Sequence, residues 1–351
     1  MVNIAEENAV IKVLRSRFWA SGSGIGNVEK FEKKFNKYIG SNSAVAVNSG
    51  TAALHLALSL FDIKNKEVIL PSISFVSTAH AITYNGGKPV FADVDPLTLN
   101  IDPESISNSI TSNTKMILPV HFGGLASNMD KIQKICAKSK IFLVEDAAHA
   151  SGSKFHGKKI GTHGSAVCFS FHPVKNLAMP TGGLITLNGQ KNKEFKKILQ
   201  SKRWCGISSR KGAEYDVSTL GWNYYMNEFS ATIGLEQLKK LDRLNSKRKQ
   251  IAKRYFAEIK FSEIMPFDSN CSYHLYWIRV KNRGVFMKNM KLNGVETGIH
   301  YKPIHNMSFY KSKKRLPHTD IVSKEIVSLP IHPNLSNSNV SKIIKLVNRF
   351  A

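Results

Sequence analysis

Two hydrophobic rhythms alternate along the chain from about residue 44. Short runs rich in β-branched residues, "AVAV", "EVIL", "KPVFADV", "KMILPVHF" and "IFLVEDA", take turns with "TAALHLALSL", "FVSTAHAITY", "DPESISNSI" and "MDKIQKICAKS". Compact apolar runs suit strands buried on both faces, whereas apolar residues three and four apart suit amphipathic helices. The alternation is the βαβ rhythm and predicts a mostly parallel sheet sandwiched by helices. Within "CFSFHPVKNLAMPTGGLITLN", Lys175 follows one strand-like run and precedes a turn and a second strand.

After about residue 240 the rhythm changes. A long basic helix, strands at "LYWIRV" and "TGIHY", and a closing helix "NVSKIIKLVNRF" predict a smaller α+β unit. The expected organisation is therefore an α/β fold with a large domain over residues 1–240 and a small C-terminal domain over 241–351. No internal repeat or low-complexity segment interrupts either part.

Composition narrows the classes. A chain of 351 residues, 42% hydrophobic, buries a large core. Cys136, Cys168, Cys205 and Cys271 form no CxxC pair, and the N-terminus has no signal-like succession of charged and apolar regions. A reduced, cytoplasmic protein is expected. No apolar run approaches the roughly 20 residues of a membrane span, so a membrane role is not expected.

The formal charge of +25 raises nucleic acid as a partner. Much of it lies in "KNKEFKKILQSKR" and "KKLDRLNSKRKQIAKR", which read as amphipathic helices with basic residues on solvated faces. Zinc-finger spacing, an RNA-recognition signature and basic strands interleaved with aromatics are all missing. A basic nucleic-acid-binding protein is the rival reading from a different class, and charge is its whole support.

Candidate chemistry sits at the predicted strand ends. In "VNSGTAALHLAL", Ser49, Gly50 and Thr51 occupy a helix N-terminus, where free N–H groups and the helix dipole favour an anion; an ordinary capped helix has the same pattern. "GSGIGN" at residues 22–27 resembles part of a dinucleotide-binding loop but follows a helical stretch rather than a strand, which disfavours NAD. "IFLVEDAAHASG" ends a strand in Glu145 and Asp146, so a carboxylate lies where open α/β sheets place ligands, or caps a helix. His149 belongs to no metal-ligand spacing, and no metal is expected. An amine, an anion and phosphate donors together are what pyridoxal 5'-phosphate (PLP) requires.

The blocks "NSGTAALHLAL", "PSISFVSTAHAI", "PVFADVD", "VEDAAHASGS", "FSFHPVKN", "NYYMNEFSATIGLEQLKKLD", "GIHYKPIH" and "SLPIHPNLS" resemble, in order and over nearly the whole chain, the sugar aminotransferases of the DegT/DnrJ/EryC1/StrS family. The resemblance implies the type I fold of PLP-dependent transferases. It implies that Lys175 forms the Schiff base with the cofactor and shuttles the proton, and that Asp146 pairs with the pyridinium nitrogen. By the same resemblance His149 lies near the ring hydroxyl, Phe75 stacks on the ring, and Gly50, Thr51 and Ser170 hold the phosphate. Asn223 would reach that phosphate from a neighbouring subunit, which implies a homodimer with shared active sites. His172, Tyr301 and His305 would line the substrate side.

The expected reaction moves an amino group from L-glutamate to a nucleotide-linked keto-deoxy sugar, for a polysaccharide, glycan or glycosylated metabolite. A 4-keto-6-deoxyhexose aminated at C4 is favoured, with C3 amination the alternative. Family dehydratases carry histidine in place of the lysine, so Lys175 favours transamination. "MPTGG" departs from the glycine-glutamate that many relatives have before the paired glycines, which bears on the substrate more than on the chemistry.

Overall fold

The computed structural model describes residues 2–312 and 314–351. Helices α1 (Ile4–Ser16) and α2 (Asn27–Ile39) precede the predicted succession: β1 (Ser43–Val47), α3 (Gly50–Leu58), β2 (Glu67–Pro71), α4 (Ser77–Tyr84), β3 (Lys88–Ala92), α5 (Pro103–Ser109), β4 (Thr114–Ile117), α6 (Met129–Ser139) and β5 (Phe142–Asp146). A short hairpin of β6 (Lys154–Phe155) and β7 (Lys158–Lys159) leads to β8 (Ala166–Ser170), β9 (Gly183–Leu187) and α7 (Asn192–Lys202). An exposed hairpin of β10 (Ile207–Lys211) and β11 (Glu214–Val217) follows. The 31-residue α8 (Glu228–Glu258) then carries the chain to β12 (Tyr276–Arg279), α9 (Arg283–Leu292), α10 (Pro317–Glu325), β13 (Ile326–Leu329) and α11 (Asn337–Phe350).

The main sheet has the order β1-β9-β8-β5-β4-β2-β3, and β9 alone runs against its neighbours. The mostly parallel sheet expected from the sequence is therefore the observed one. Its direction has a consequence for chemistry: the C-terminal ends of β1, β2, β4, β5 and β8, and the start of β9, all lie along one edge. Side chains alternate across the sheet, so Val45 and Val47 of β1 pack with Leu54 and Leu56 of α3, while Ala44 and Ala46 pack with Phe31 and Phe35 of α2. Burial of both faces explains why these strands read as unbroken apolar runs.

Helix α8 belongs to two cores. Leu241 packs among Phe31, Phe169 and Leu184, whereas Ile251, Ala252 and Tyr255 pack with Trp277, Val327 and Val347. The division expected at residues 240 and 241 falls inside this helix. Ile73 and Phe122 also join the second of these cores, so the C-terminal part packs directly against the sheet domain.

Three expectations meet a different outcome or a clearer one. "TGIHY" forms no strand; a single bridge joins Gly298 to Ser328, and the partner of β12 is β13, from "EIVSLP". "GSGIGN" follows α1 and joins it to α2, with Gly24 and Gly26 at φ of 70° and 82°, so the strand that a dinucleotide loop needs is absent there. On α8, Lys239 pairs with Glu236 and Arg254 with Glu258 at the surface, but Arg248 turns inward and is 8% exposed. The reason is periodic: position 248 continues the stripe of Leu241, Leu244, Ile251 and Tyr255 that faces the interior.

Candidate active site

At the strand-end edge the chain encloses a cavity of about 320 Å³. Each wall comes from a different strand end, which is how an open α/β sheet gathers distant residues. Gly50 and Thr51 enter from β1, Phe75 from β2, Asp146 and His149 from β5, and Ser170, His172 and Lys175 from β8; Tyr301 closes the cavity from the C-terminal part.

Lys175 sits in the β8–β9 connection, its backbone N–H donating to His172 O at 2.8 Å. Burial removes water from the charged amine and pushes its pKa down to about 8, with the Asp146 charge opposing weakly. A substantial neutral fraction near physiological pH makes it a usable nucleophile and proton carrier.

His274 approaches this amine, with Nε2 3.3 Å from Lys175 Nζ and Nδ1 3.2 Å from Asn176 Oδ1. Asn176 Nδ2 donates to Asn245 Oδ1 and Ser272 O, which orients the amide. The network therefore assigns the imidazole proton to Nδ1 and turns the Nε2 lone pair toward Lys175. Burial holds His274 well below the usual histidine range, so the ring is neutral. Sequence reasoning missed this residue: a single histidine in "CSYHLYW" has no motif, and the long-range contact is its only signal.

Adjacent Glu145 and Asp146 face opposite sides of β5. Asp146 Oδ1 accepts from Ala148 N at 3.0 Å, and Oδ2 accepts from the Thr78 hydroxyl at 2.8 Å. Ser74 lies 2.8 Å from Thr78 Oγ1 and completes the relay. Burial raises the Asp146 pKa, while these two donors and Lys175 work against it. Among the described residues no cation forms an ion pair with it, so a buried carboxylate faces the cavity ready for a positive partner. Glu145 is fully enclosed by contrast. It accepts from Gly164 N and lies 2.8 Å from His121 Nε2, whose proton is placed there because Nδ1 accepts from Ser127 N. Thr78 and Ser74 also went unrecognised in the sequence, since their part depends on the start of α4 lying beside the end of β5, 68 residues further along the chain.

The phosphate-suited end of the cavity is the start of α3. Ser49 caps the helix by accepting from Ala52 N at 3.1 Å, which leaves the earliest amides to the cavity. A Cβ on Gly50 would lie 2.7 Å from Ser170 Cβ, so glycine is required where α3 abuts β8. Thr181, from the departing "MPTGG", donates its hydroxyl to Asn48 O and braces this entrance.

Phe75 is 56% exposed beside the cavity, its ring 6.2 Å from that of Tyr301. His149 Nδ1 accepts from Gly123 N at 3.3 Å, which leaves the proton on Nε2, 3.2 Å from the Tyr301 hydroxyl. Burial holds His149 well below the usual range, so it too is neutral.

Two expected residues lie elsewhere. Asn223 is exposed and outside this cavity, its carbonyl accepting from Asn48 Nδ2 at 3.3 Å. His305 does not line it: the side chain is 1% exposed and committed to Ser72 Oγ at 2.6 Å and Asp320 at 3.3 Å, so its place on the substrate side is corrected to a buried joint. Among the described residues no cluster of three or more His, Cys, Asp or Glu could hold a metal, and no helix is long and apolar enough to cross a membrane.

The donor set fits PLP: an amine that loses its proton near pH 8, a buried carboxylate lacking a cation, free helix amides and an exposed aromatic face. Comparison with known proteins agrees. A model of the DegT/DnrJ/EryC1/StrS aminotransferase family matches residues 2–348. The uncharacterized protein MJ1066 of Methanocaldococcus jannaschii is 36% identical over 367 aligned positions, covering 98% of this chain and 94% of that protein. Streptococcus pneumoniae Spr1654 superposes with a TM-score of 0.94 in its PMP form and 0.93 in its PLP form, each at 28% identity over 100% of this chain and 96% of the other. Helicobacter pylori PseC, an aminotransferase involved in the biosynthesis of pseudoaminic acid, matches with a TM-score of 0.93 at 28% identity, over 100% of this chain and 97% of its own. The chain therefore belongs to the DegT/DnrJ/EryC1/StrS aminotransferase family and is a PLP-dependent sugar aminotransferase of the type I fold.

Proposed function

We propose that this protein transfers an amino group from L-glutamate to a keto-deoxy sugar carried on a nucleotide, with C4 of a 4-keto-6-deoxyhexose as the favoured position and C3 as the alternative. The observation that carries the reading is the Lys175 amine, brought to a pKa of about 8 in the same cavity as the unpaired Asp146 carboxylate. PLP, when bound, supplies an electrophilic carbon and an electron-accepting ring.

The chain's own groups do the rest. Lys175 anchors the cofactor through its amine and, once displaced, takes and returns the proton at the substrate carbon. Asp146 keeps the ring nitrogen protonated, held in place by Thr78 and Ala148. The Gly50 and Thr51 amides and Ser170 bind the phosphate, Phe75 covers the ring face, and His149 meets the ring hydroxyl. His172 and Tyr301 face the substrate. The four free cysteines suit a reducing compartment, and we place the reaction in the cytoplasm.

The direct test incubates purified protein with PLP, L-glutamate and a panel of nucleotide-linked keto sugars, and follows 2-oxoglutarate and amino-sugar formation. Borohydride should fix the cofactor on the peptide that contains Lys175. Fixation at another lysine would overturn the assignment, and amination at C3 alone would overturn the favoured position. A protein that takes up no coloured cofactor yet binds nucleic acid would support the rival class.

Asn223 is assigned to the phosphate of a partner subunit in a homodimer. Mixing Asn223→Ala with Lys175→Ala under subunit exchange should then restore activity, because one pocket of the mixed dimer has both native residues. Proven exchange without recovery would show that each pocket is built from one chain.

A further inference from the structure

A second cavity, of about 660 Å³, opens beside the C-terminal half of α8, β13 and α11. Val174, next to the active-site lysine, lines both cavities. His274 also connects them: its Nε2 is 3.3 Å from Lys175 Nζ, and the residue lines the second cavity.

Arg248 is the unusual group in this wall. It is 8% exposed, and its Nη1 has no hydrogen-bond partner. Among the described residues no carboxylate lies within ion-pair distance of its guanidinium. Glu296, which also lines the cavity, is 83% exposed in its side chain and sits 3.8 Å from Lys291 instead. Burial alone pushes the guanidinium down to about 10, with no acid to oppose it. A buried cation without a counter-charge is strongly unfavourable, and here the apolar stripe of α8 would accept an aliphatic residue in its place. The wall thus presents one desolvated positive charge that no described residue answers, while its other cation, Lys342, is exposed to solvent.

The rest of the wall indicates what answers it. Leu329, Ile331, Leu335 and Ile343 are apolar, and His332 is held below the usual histidine range by burial and by the Arg248 charge, so it adds no second cation. A single buried charge beside an apolar stretch of wall matches a single carboxylate on a short aliphatic chain. A diphosphate, with at least two charges and a tightly held hydration shell, would set only one charge against the desolvated Arg248 and leave the rest to the exposed, solvated Lys342. The planar fork of a guanidinium also receives both carboxylate oxygens at once.

We propose that Arg248 binds a carboxylate of the amino donor, in a subsite that reaches the active-site lysine past His274 and Val174. This rests on the aminotransferase reading above and gives that reaction a donor-recognition residue in the C-terminal part of the chain.

The test compares wild-type and Arg248→Gln holoenzymes by calorimetric titration with glutarate, a non-reacting five-carbon dicarboxylate, and by KM for each substrate. Glutarate affinity and the KM for glutamate should each worsen by at least about tenfold, as expected for losing a charged hydrogen bond. The KM for the keto-sugar nucleotide and the cofactor absorbance should not change. Arg248→Lys keeps the charge without the fork; it should lie between the two, and carries the same test if the glutamine variant does not fold. Unchanged glutarate binding in a folded variant overturns the proposal. So does pyrophosphate binding that depends on Arg248 while glutarate binding does not, since that would assign the cavity to the acceptor's diphosphate. Because glutarate binding needs no turnover, Arg248-dependent binding in a protein that does not accept glutamate would fault the donor assignment alone.

Discussion

Two buried arginines, in different regions of the molecule, are built in opposite ways. Arg203, just after α7, is 0% exposed: its Nη1 donates to Glu32 at 2.5 Å and to Ala46 O at 2.8 Å, and its Nη2 donates to Ser23 O at 3.1 Å. It fastens α2, β1 and the glycine loop together, and a Cβ on Gly24 would strike its Nη2. Arg248 is almost as deeply placed, yet its Nη1 has no hydrogen-bond partner and, among the described residues, no carboxylate pairs with it. A cation whose acceptors come from the chain is a joint; one left without them beside a cavity is a place for something the chain does not supply. The carboxylates of β5 repeat the contrast, with Glu145 enclosed by His121 and Gly164 and Asp146 facing the cavity without a cation.

The comparison breaks most visibly at Lys175, the other incompletely paired cation. Lys175→Ala should lower turnover by about 10⁴-fold, the upper range for losing an acid–base group, with little change in melting temperature. A large fall in thermal stability would instead make the lysine a joint like Arg203. Next in size, Arg203→Met should cost about 3–5 kcal/mol in denaturant unfolding, because Glu32 stays buried without its partner. A neutral outcome would remove the distinction between the two arginines.

On β5 the same logic separates neighbours. Asp146→Asn should reduce activity by about 10²-fold and leave stability nearly intact, as removing one preorganised charge does. Glu145→Gln should reverse the pattern, costing about 1–3 kcal/mol of stability with activity retained. Equal losses in both variants would show that β5 has been oriented wrongly.

A pH series sharpens the assignment of Lys175. Its neutral fraction rises as pH passes through about 8, so covalent uptake of PLP by cofactor-free protein should be half-maximal there. Since the folded pKa lies below the unfolded value of 10.5, the buried charge penalises the fold fully below pH 8 and is relieved between pH 8 and 10.5. Uptake that rises only above pH 10 would mean that the amine is solvated. The smallest effect is expected at Arg248→Met, which should stabilise the ligand-free protein by about 1 kcal/mol, since an apolar residue replaces an unpaired charge. Destabilisation by several kcal/mol would show that its partners lie within the chain after all.

Much of this was legible in local pattern. The runs that became β1, β2, β4, β5 and β8 were readable because burial on both faces leaves them almost uniformly apolar. Lys175, Asp146 and the α3 start were readable because each combines a strand end with a chemically distinctive residue. β13 was missed and a strand was expected at "TGIHY" instead, since "EIVSLP" directly follows a helix and gives no separate turn signal. Arg248 was placed on a solvated face because its neighbours in "SKRKQ" are charged, although its spacing from Leu241, Leu244 and Tyr255 puts it in the buried stripe.

The order of residues along the chain was enough to specify the alternation of elements, the cofactor class and the strand ends at which Lys175 and Asp146 lie. Those properties depend on periodicity and on residue type at strand ends, which are local. The neutral His274 beside Lys175, the Thr78 bond to Asp146, the withdrawal of His305 to Ser72 and the unanswered charge of Arg248 depend on segments far apart in sequence. Hydrogen bonding and desolvation act over a few ångströms, so these features existed only once the sheet order and the path of α8 had brought those segments together.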